Sequence, residues 1–427
     1  MKMTKYFFYF LALVLVINIV LPNNVSATSQ WARKTGLSCN TCHTVFPRLT
    51  SFGEEYLKNG YQLMTTYKKD FKEAYPIDAG GVLLDEVSNI FGFRLNMTPI
   101  ELDTKSFLQD AGYEKTTKLT LGNAVWLQAF VAGSIYKDIS FFSELEYAKG
   151  SFKFNWFYFN FTNLLSSPML NFQVGNISPM EFASFPNRLP QLPNLKGEVF
   201  LLKSAGGKGE SSMDMSSARP GLQYFGKYDW ATLYAGISPG VSAASVNQFL
   251  NVWGGIVLKL PENIIKGFDG STFTLHYYTS TDTKNTGAEV TGAQLPQVEN
   301  SFTRFSPQIN IRYDDVLDIQ AAYVMGTDDN YYFASTKKDF KYSGIALEAG
   351  YMPSEIWHLG LHYDNYSSDD KVTATGKPVL DYQRIVPSVT YIINQNIRFT
   401  VYYEKNLTDI DESLKVDKTY LNVRVMF

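Results

Sequence analysis

The chain closes on Tyr420-Leu-Asn-Val-Arg-Val-Met-Phe427, where Leu421, Val423, Val425 and Phe427 alternate with Asn422 and Arg424. Side chains on a strand repeat with a period of two, so the stretch predicts a ribbon with one apolar and one polar face. The same alternation recurs upstream. Ile309, Ile311 and Tyr313 oppose Gln308, Asn310 and Arg312; Leu317, Ile319, Ala321 and Tyr323 oppose Asp318 and Gln320. Ile345, Leu347, Ala349 and Tyr351 face away from Glu348, and Ile397, Phe399, Val401 and Tyr403 face away from Arg398, Thr400 and Glu404. In a soluble sandwich the apolar faces would form a core, whereas in a lipid-embedded barrel they point outward around a wet lumen.

Alternation does not separate these two folds, but loop lengths do. About 16 strands are legible, an even number as membrane barrels require. Short turns follow the even strands, at Lys137-Asp138, Tyr228-Asp229, Asp314-Asp315, Pro353-Ser354 and Asn394-Gln395. Long connections follow most odd strands, at 99–120, 177–218, 281–301, 327–340 and 367–379, with 148–151 a short exception. Such segregation predicts an all-β fold, a transmembrane antiparallel β-barrel over 82–427 with both of its ends on the short-turn, periplasmic rim. A final strand ending on an aromatic, here Phe427, is similar to the assembly signal of bacterial outer-membrane barrels.

Composition agrees. Aromatics make up 15% of the residues, with 28 Tyr and 31 Phe, as strands and interfacial girdles favour. Residues 1–27 read as a secretory signal, with Lys2 and Lys5, an apolar run from Tyr6 to Val20, and a small-residue cleavage site at Val25-Ser26-Ala27. Without the two signal lysines, 36 basic residues stand against 41 acidic ones, a balance of −5. Such a mild acidic excess argues against nucleic acid as a partner. The expected surroundings are outer-membrane lipid and an oxidising compartment.

Both cysteines lie in Cys39-Asn-Thr-Cys42-His43. C-x-x-C-H is the pattern of covalent c-type haem attachment, in which two thioethers hold the ring and the adjacent imidazole reaches the iron. A structural zinc site would need two further ligands, and no second Cys or His pair lies nearby. A redox dithiol would need a βαβ setting, which the flanking residues do not supply. The expected cofactor is therefore one haem c on Cys39 and Cys42, with His43 as the proximal iron ligand. The haem segment, 28–78, offers one short helix at 51–59. Ser51 and Glu54 suit a capping box, and Gly60 suits a stop. So little apolar surface cannot wrap a porphyrin, and the missing wall is expected from the barrel lumen.

The stretch WARKTGLSCNTCHTVFPRLTSFGEEYLKNGYQL (31–63), followed by a barrel, resembles the fused monohaem cytochrome–porins of the outer membrane. Trp31, Arg33, Thr35, Pro47, Phe52, Gly53 and Gly60-Tyr61 match positions framing the haem segment in that family. Its best-known members oxidise extracellular ferrous iron. The resemblance implies electron transfer across the outer membrane, from an extracellular reductant such as Fe(II) to a periplasmic electron-carrier cytochrome. Two alternatives stand beside this: outward delivery to an external acceptor, and a solute porin whose haem segment is a plug or sensor. For the distal ligand the sequence offers Met64, just beyond the helix, and His358 and His362, on the lumen-facing positions of one strand. Met180, at the base of the long 177–218 loop, is a further candidate.

Overall fold

The computed structural model describes residues 30–44, 47–64, 77–79, 82–109, 112–148, 150–192, 195–202, 213–239, 250–261, 264–285, 297–314, 316–369, 381–408 and 416–426. The signal segment 1–27 and the terminal Phe427 lie outside them.

A small hairpin, β1 (Ile77–Ala79) with β2 (Val82–Leu84), precedes a closed barrel. Its first eight strands are β3 (Phe91–Gln109), β4 (Gly112–Tyr136), β5 (Ile139–Ala148), β6 (Ser151–Phe161), β7 (Asn171–Ile177), β8 (Arg219–Lys227), β9 (Ala231–Ser238) and β10 (Asn251–Lys259). The ring continues through β11 (Thr272–Asn285), β12 (Gln297–Tyr313), β13 (Leu317–Asp328), β14 (Phe340–Ser354), β15 (Trp357–Ser368), β16 (Tyr382–Asn394), β17 (Ile397–Asn406) and β18 (Val416–Met426). Every neighbour pairs antiparallel, and β18 closes on β3 with Met426 opposite Arg94 and Val416 opposite Lys105. Closure leaves no unpaired edge.

Burial follows the pleat. On β12 and β13, Gln308, Asn310, Arg312, Asp318 and Gln320 are buried, while Phe305, Ile309, Tyr313 and Tyr323 are exposed. Leu359, Leu361, Val389 and Val401 are likewise exposed, so the outer surface is an apolar, aromatic-rich band and the lumen is polar. This is the inverted pattern of a barrel that sits in lipid.

The short rim carries 137–138, 162–170, 228–230, 260–271, 314–316, 355–356 and 395–396, and the opposite rim carries 178–218 and most of the other long connections. The first hairpin departs from the sequence reading. Val82–Leu84 belongs to the small hairpin, the barrel starts at Phe91, and 99–120 is paired strand almost throughout rather than a loop. Charged residues at Glu101, Asp103, Lys105, Glu114, Lys115 and Lys118 interrupt the apolar alternation there, although Ile100 and Leu119 remain exposed on the ladder.

The described residues of the connection, 178–192, 195–202 and 213–218, fold inward as a strap across the lumen. Ser184 and Phe185 donate backbone N–H bonds to Thr274 Oγ1 (2.9 Å) and Gln308 Oε1 (2.7 Å), and Ser184 O accepts from Gln320 Nε2 (2.7 Å). Farther along, the Gln191 N–H meets Glu348 Oε2 at 3.3 Å and Lys196 O accepts from Arg384 Nη2 at 2.7 Å. Polar strand residues thus satisfy the strap's backbone, and Met180, Phe182, Phe185, Phe200, Met213 and Met215 bury its apolar side.

Candidate functional site

Cys39–Cys42 is a single helical turn, closed by the His43 N–H to Cys39 O bond of 2.9 Å. The chain then doubles back: His43 bridges Leu49, and the Thr44 N–H reaches Arg48 O at 3.1 Å. This return places the Pro47 and Arg48 carbonyls each 3.3 Å from His43 Nδ1. A ring held through Nδ1–H by carbonyls leaves Nε2 for a metal, the usual second-shell arrangement. Burial pushes the His43 pKa down to about 4, against the pull of the two carbonyls, so the imidazole is neutral as a ligand must be. Neither cysteine is in a disulfide, and burial pushes the Cys42 thiol up to about 12.

The helix Ser51–Lys58 stands directly on this turn. Its N-cap is Thr50 rather than the expected Ser51: Thr50 Oγ1 accepts the Gly53 N–H (3.1 Å) and donates to Thr41 O (2.7 Å). Thr50 therefore starts the helix and ties it to the cysteine turn in one residue. Glu54 is left to pair with Arg312 on the barrel at 2.5 Å. The helix ends as expected at Gly60 (φ +68°), where Gly60 and Tyr61 N–H groups close on Leu57 O and Tyr56 O, both at 3.0 Å. That paired closure is a Schellman motif, for which glycine is the natural residue.

Contacts fasten the segment inside the short-turn rim. The Cys39 N–H donates to Gln395 Oε1 (3.1 Å), Lys34 pairs with Asp85 (3.2 Å), and Arg33 Nη2 donates to Phe91 O (2.6 Å). Arg48 grips Asp318 of β13 with two nitrogens (2.8 and 3.0 Å), both side chains nearly dry. Lys259 reaches Glu55, and the Tyr61 and Tyr158 hydroxyls meet at 2.9 Å. Trp31 stacks on Tyr61 (4.8 Å between centroids), which in turn packs on Phe142 (5.6 Å).

Between segment, strap and barrel wall lies a cavity of about 410 Å³, within the usual range for small-molecule and cofactor sites. Cys39, Cys42 and His43 line it, together with Trp31, Leu37, Leu49, Tyr56 and Leu57 from the same segment. The barrel adds Phe93, Trp126, Phe130, Phe142 and Trp156, and the strap adds Leu189 and Pro190. The charged lining is Arg94, Arg188, Lys196 and Arg424 against Glu144 and Glu146, four cations to two carboxylates. Arg188 also pairs with Glu181 and lies over the Trp156 ring at 4.2 Å. The opening is thus flat-walled, apolar and cationic on part of its surface.

Met64, His358 and His362 stand elsewhere. Met64 is half-buried against the apolar cluster of the segment. His358 and His362 do face the lumen, at 2% and 1% exposure, but on β15, away from the cavity wall. His362 is held between Glu348 (3.2 Å) and Asp364 (2.6 Å). Met180 is enclosed in the strap. Arg188, Lys196 and Met426 line the cavity without having been legible as site residues, since each lies more than a hundred residues along the chain from the cysteine motif.

No family model matches the chain, and no curated protein matches it. Solved structures do. An anion-selective porin from Comamonas acidovorans aligns with a TM-score of 0.52 at 10% identity, over 79% of this chain and 98% of that one. OprB of Pseudomonas putida aligns at 0.51 and 11% identity, over 79% and 94%, and OmpF of Salmonella typhi at 0.50 and 14%, over 82% and 99%. At these identities the likeness concerns the fold: the chain has the porin-type 16-strand barrel.

Proposed function

We propose that this chain is an outer-membrane barrel that carries one covalent haem c in the cavity at its short-turn end and conducts electrons across the membrane. The observation that carries the reading is that one apolar cavity gathers Cys39, Cys42 and a neutral His43 whose Nδ1 is turned to carbonyls. The residues fit the group. Each thiol would add its sulfur and hydrogen across one vinyl group, so that attachment releases nothing; His43 Nε2 would meet the iron. Haem, when bound, supplies reversible one-electron exchange at iron.

The chain's own residues do the rest. Aromatic and aliphatic walls exclude water from the ring faces, and the excess of two cations over carboxylates offsets the two propionates of a haem. The strap closes the cavity on the side of the long loops, which separates it from the opposite mouth.

The direction proposed is inward: an extracellular reductant such as Fe(II) gives electrons to the haem, and a periplasmic electron-carrier cytochrome removes them. A solute porin with a haem plug or sensor is the second reading, which the porin-type fold supports. The deciding experiment uses the haem-loaded protein purified in detergent. Haem should stay with the polypeptide through acid–acetone extraction, its spectrum should change to the reduced form with Fe(II), and a soluble cytochrome should re-oxidise it. Extractable haem would overturn the attachment. Covalent haem that exchanges no electrons, in a barrel with high ion conductance, would favour the porin.

A further inference from the structure

We infer that the Met426 thioether supplies the sixth ligand of the haem iron. The inference rests on the covalent-haem reading above and goes beyond it. A haem held by Cys39 and Cys42 takes its distal ligand from the wall of the cavity that those cysteines line. Among the described lining residues, His43 carries the only imidazole and Met426 the only thioether. Tyr61 is a poor rival: its hydroxyl is engaged with Tyr158, and burial raises its pKa well above the ordinary value, which disfavours a phenolate. Tyr56, a second phenol of the segment, and Lys196, a strap residue, are the remaining competitors.

Backbone contacts fix Met426 relative to the haem anchor. The Met426 N–H donates to Asn396 O at 2.8 Å, and Asn396 itself lines the cavity. The preceding Gln395 accepts the Cys39 N–H at 3.1 Å through Oε1. One turn between β16 and β17 therefore spaces the thioether from the first cysteine. Strand register adds a second constraint, because Met426 opposes Arg94, another cavity residue, across the β18–β3 pair. The residue is also out of pattern. The inward positions of β18 read Asn422, Arg424, Met426, so an apolar sulfur ends a polar face, and it is 8% exposed. The methionine is buried and lines the cavity rather than facing the membrane. Thioether ligation raises haem potential, which suits a centre that must accept electrons from a weak reductant.

The test uses the full-length haem-loaded chain in detergent. The ferric protein should show the weak far-red charge-transfer band of thioether-bound haem. Met426→Leu, which keeps size and apolarity, should lose that band, gain high-spin character and lower the midpoint potential. Met426→His should restore a low-spin spectrum of the two-imidazole type. Met64→Leu and Met180→Leu should keep the band. The inference is overturned if Met426→Leu retains the band or if the wild type lacks it; Lys196→Gln changing the spin state instead would assign the lysine. Absence of covalent haem in the wild type would overturn the haem reading itself, a distinguishable result. Should Met426→Leu not fold, methyl-labelled methionine in the unaltered chain provides the readout. The far-upfield methyl of an iron-bound thioether should persist in Met64→Leu and Met180→Leu; its absence from the wild type would again overturn the inference.

Discussion

Gly53 shows how closely the haem segment is packed. A Cβ there would lie 2.2 Å from Cys42 O and 3.1 Å from Cys42 Cα, backbone that cannot move without shifting the attachment turn. Gly53→Ala should therefore destabilise the segment by about 1–3 kcal/mol, as overpacking does. Thr50→Ala should cost about 1–2 kcal/mol through loss of the cap, besides freeing Thr41 O. Limited proteolysis of the 30–64 stretch would register both as faster cleavage with an unaltered barrel. A second prediction concerns charge. Lys196→Gln removes a cation from the cavity wall while leaving the cysteines intact. Fewer positive charges near the ring favour its oxidised form, so the midpoint potential should fall, measured by redox titration; an unchanged value would place Lys196 outside the ring's field. At this scale the sequence spoke unevenly. Cys39, Cys42 and His43 lie within five residues, so their meeting in one cavity was legible from their spacing. Gly53 and Tyr61 were legible only as framing positions, Gly60 also as the stop of the helix, and the structure supplies the physical reasons for the first two. Arg188, Lys196 and Met426 left no local signal, because a strand or loop residue is assigned to a cavity by register and folding over long range.

The helix Ser51–Lys58 is too short to hold its place by itself, and ion pairs to the rim fix it. Burial alone would raise the Glu54 carboxyl, but Arg312 and Lys58 outweigh it and hold the group below its usual value; Lys58 and Lys259 do the same for Glu55. A depressed folded-state pKa contributes stability that is full above the unfolded carboxyl value, about 4.3, and is lost as pH falls through the folded value. Acid should therefore loosen this helix from the rim. Trp31 fluorescence or protease sensitivity of the segment, followed downward in pH, should show the transition, and Glu54→Gln should weaken its pH dependence. Strand elements were the more legible half of the fold, since alternation and turn chemistry are local. The long hairpin of β3 and β4 escaped because Glu101, Asp103, Lys105, Glu114, Lys115 and Lys118 break the apolar alternation by which a strand is recognised. The strap was half legible: the length of 177–218 marks it as more than a plain connector, but whether it enters the mouth or stays a surface loop depends on the polar lumen positions that receive its backbone.

At the scale of the molecule, two inserts close one barrel, the segment 30–64 at the short-turn rim and the strap from the other side. Deleting 179–216 should raise single-channel conductance severalfold in planar bilayers, whereas the intact chain should conduct little; a freely conducting intact chain would move the solute-porin reading ahead. The haem cavity also has a peculiar address. Gly92, Phe93 and Arg94 belong to the first strand of the ring, Arg424 and Met426 to the last, and all of them line it. The pocket straddles the one seam that exists only when the two ends of the sheet have met. If the chain carries haem as proposed, it can acquire its thioether links beforehand, because Cys39-Asn-Thr-Cys42-His43 needs only itself for that. It cannot lodge the ring until the sheet has closed. On that reading, colour alone would report attachment, whereas the spectral signature of a ring lodged in this pocket would report that the circle has been completed.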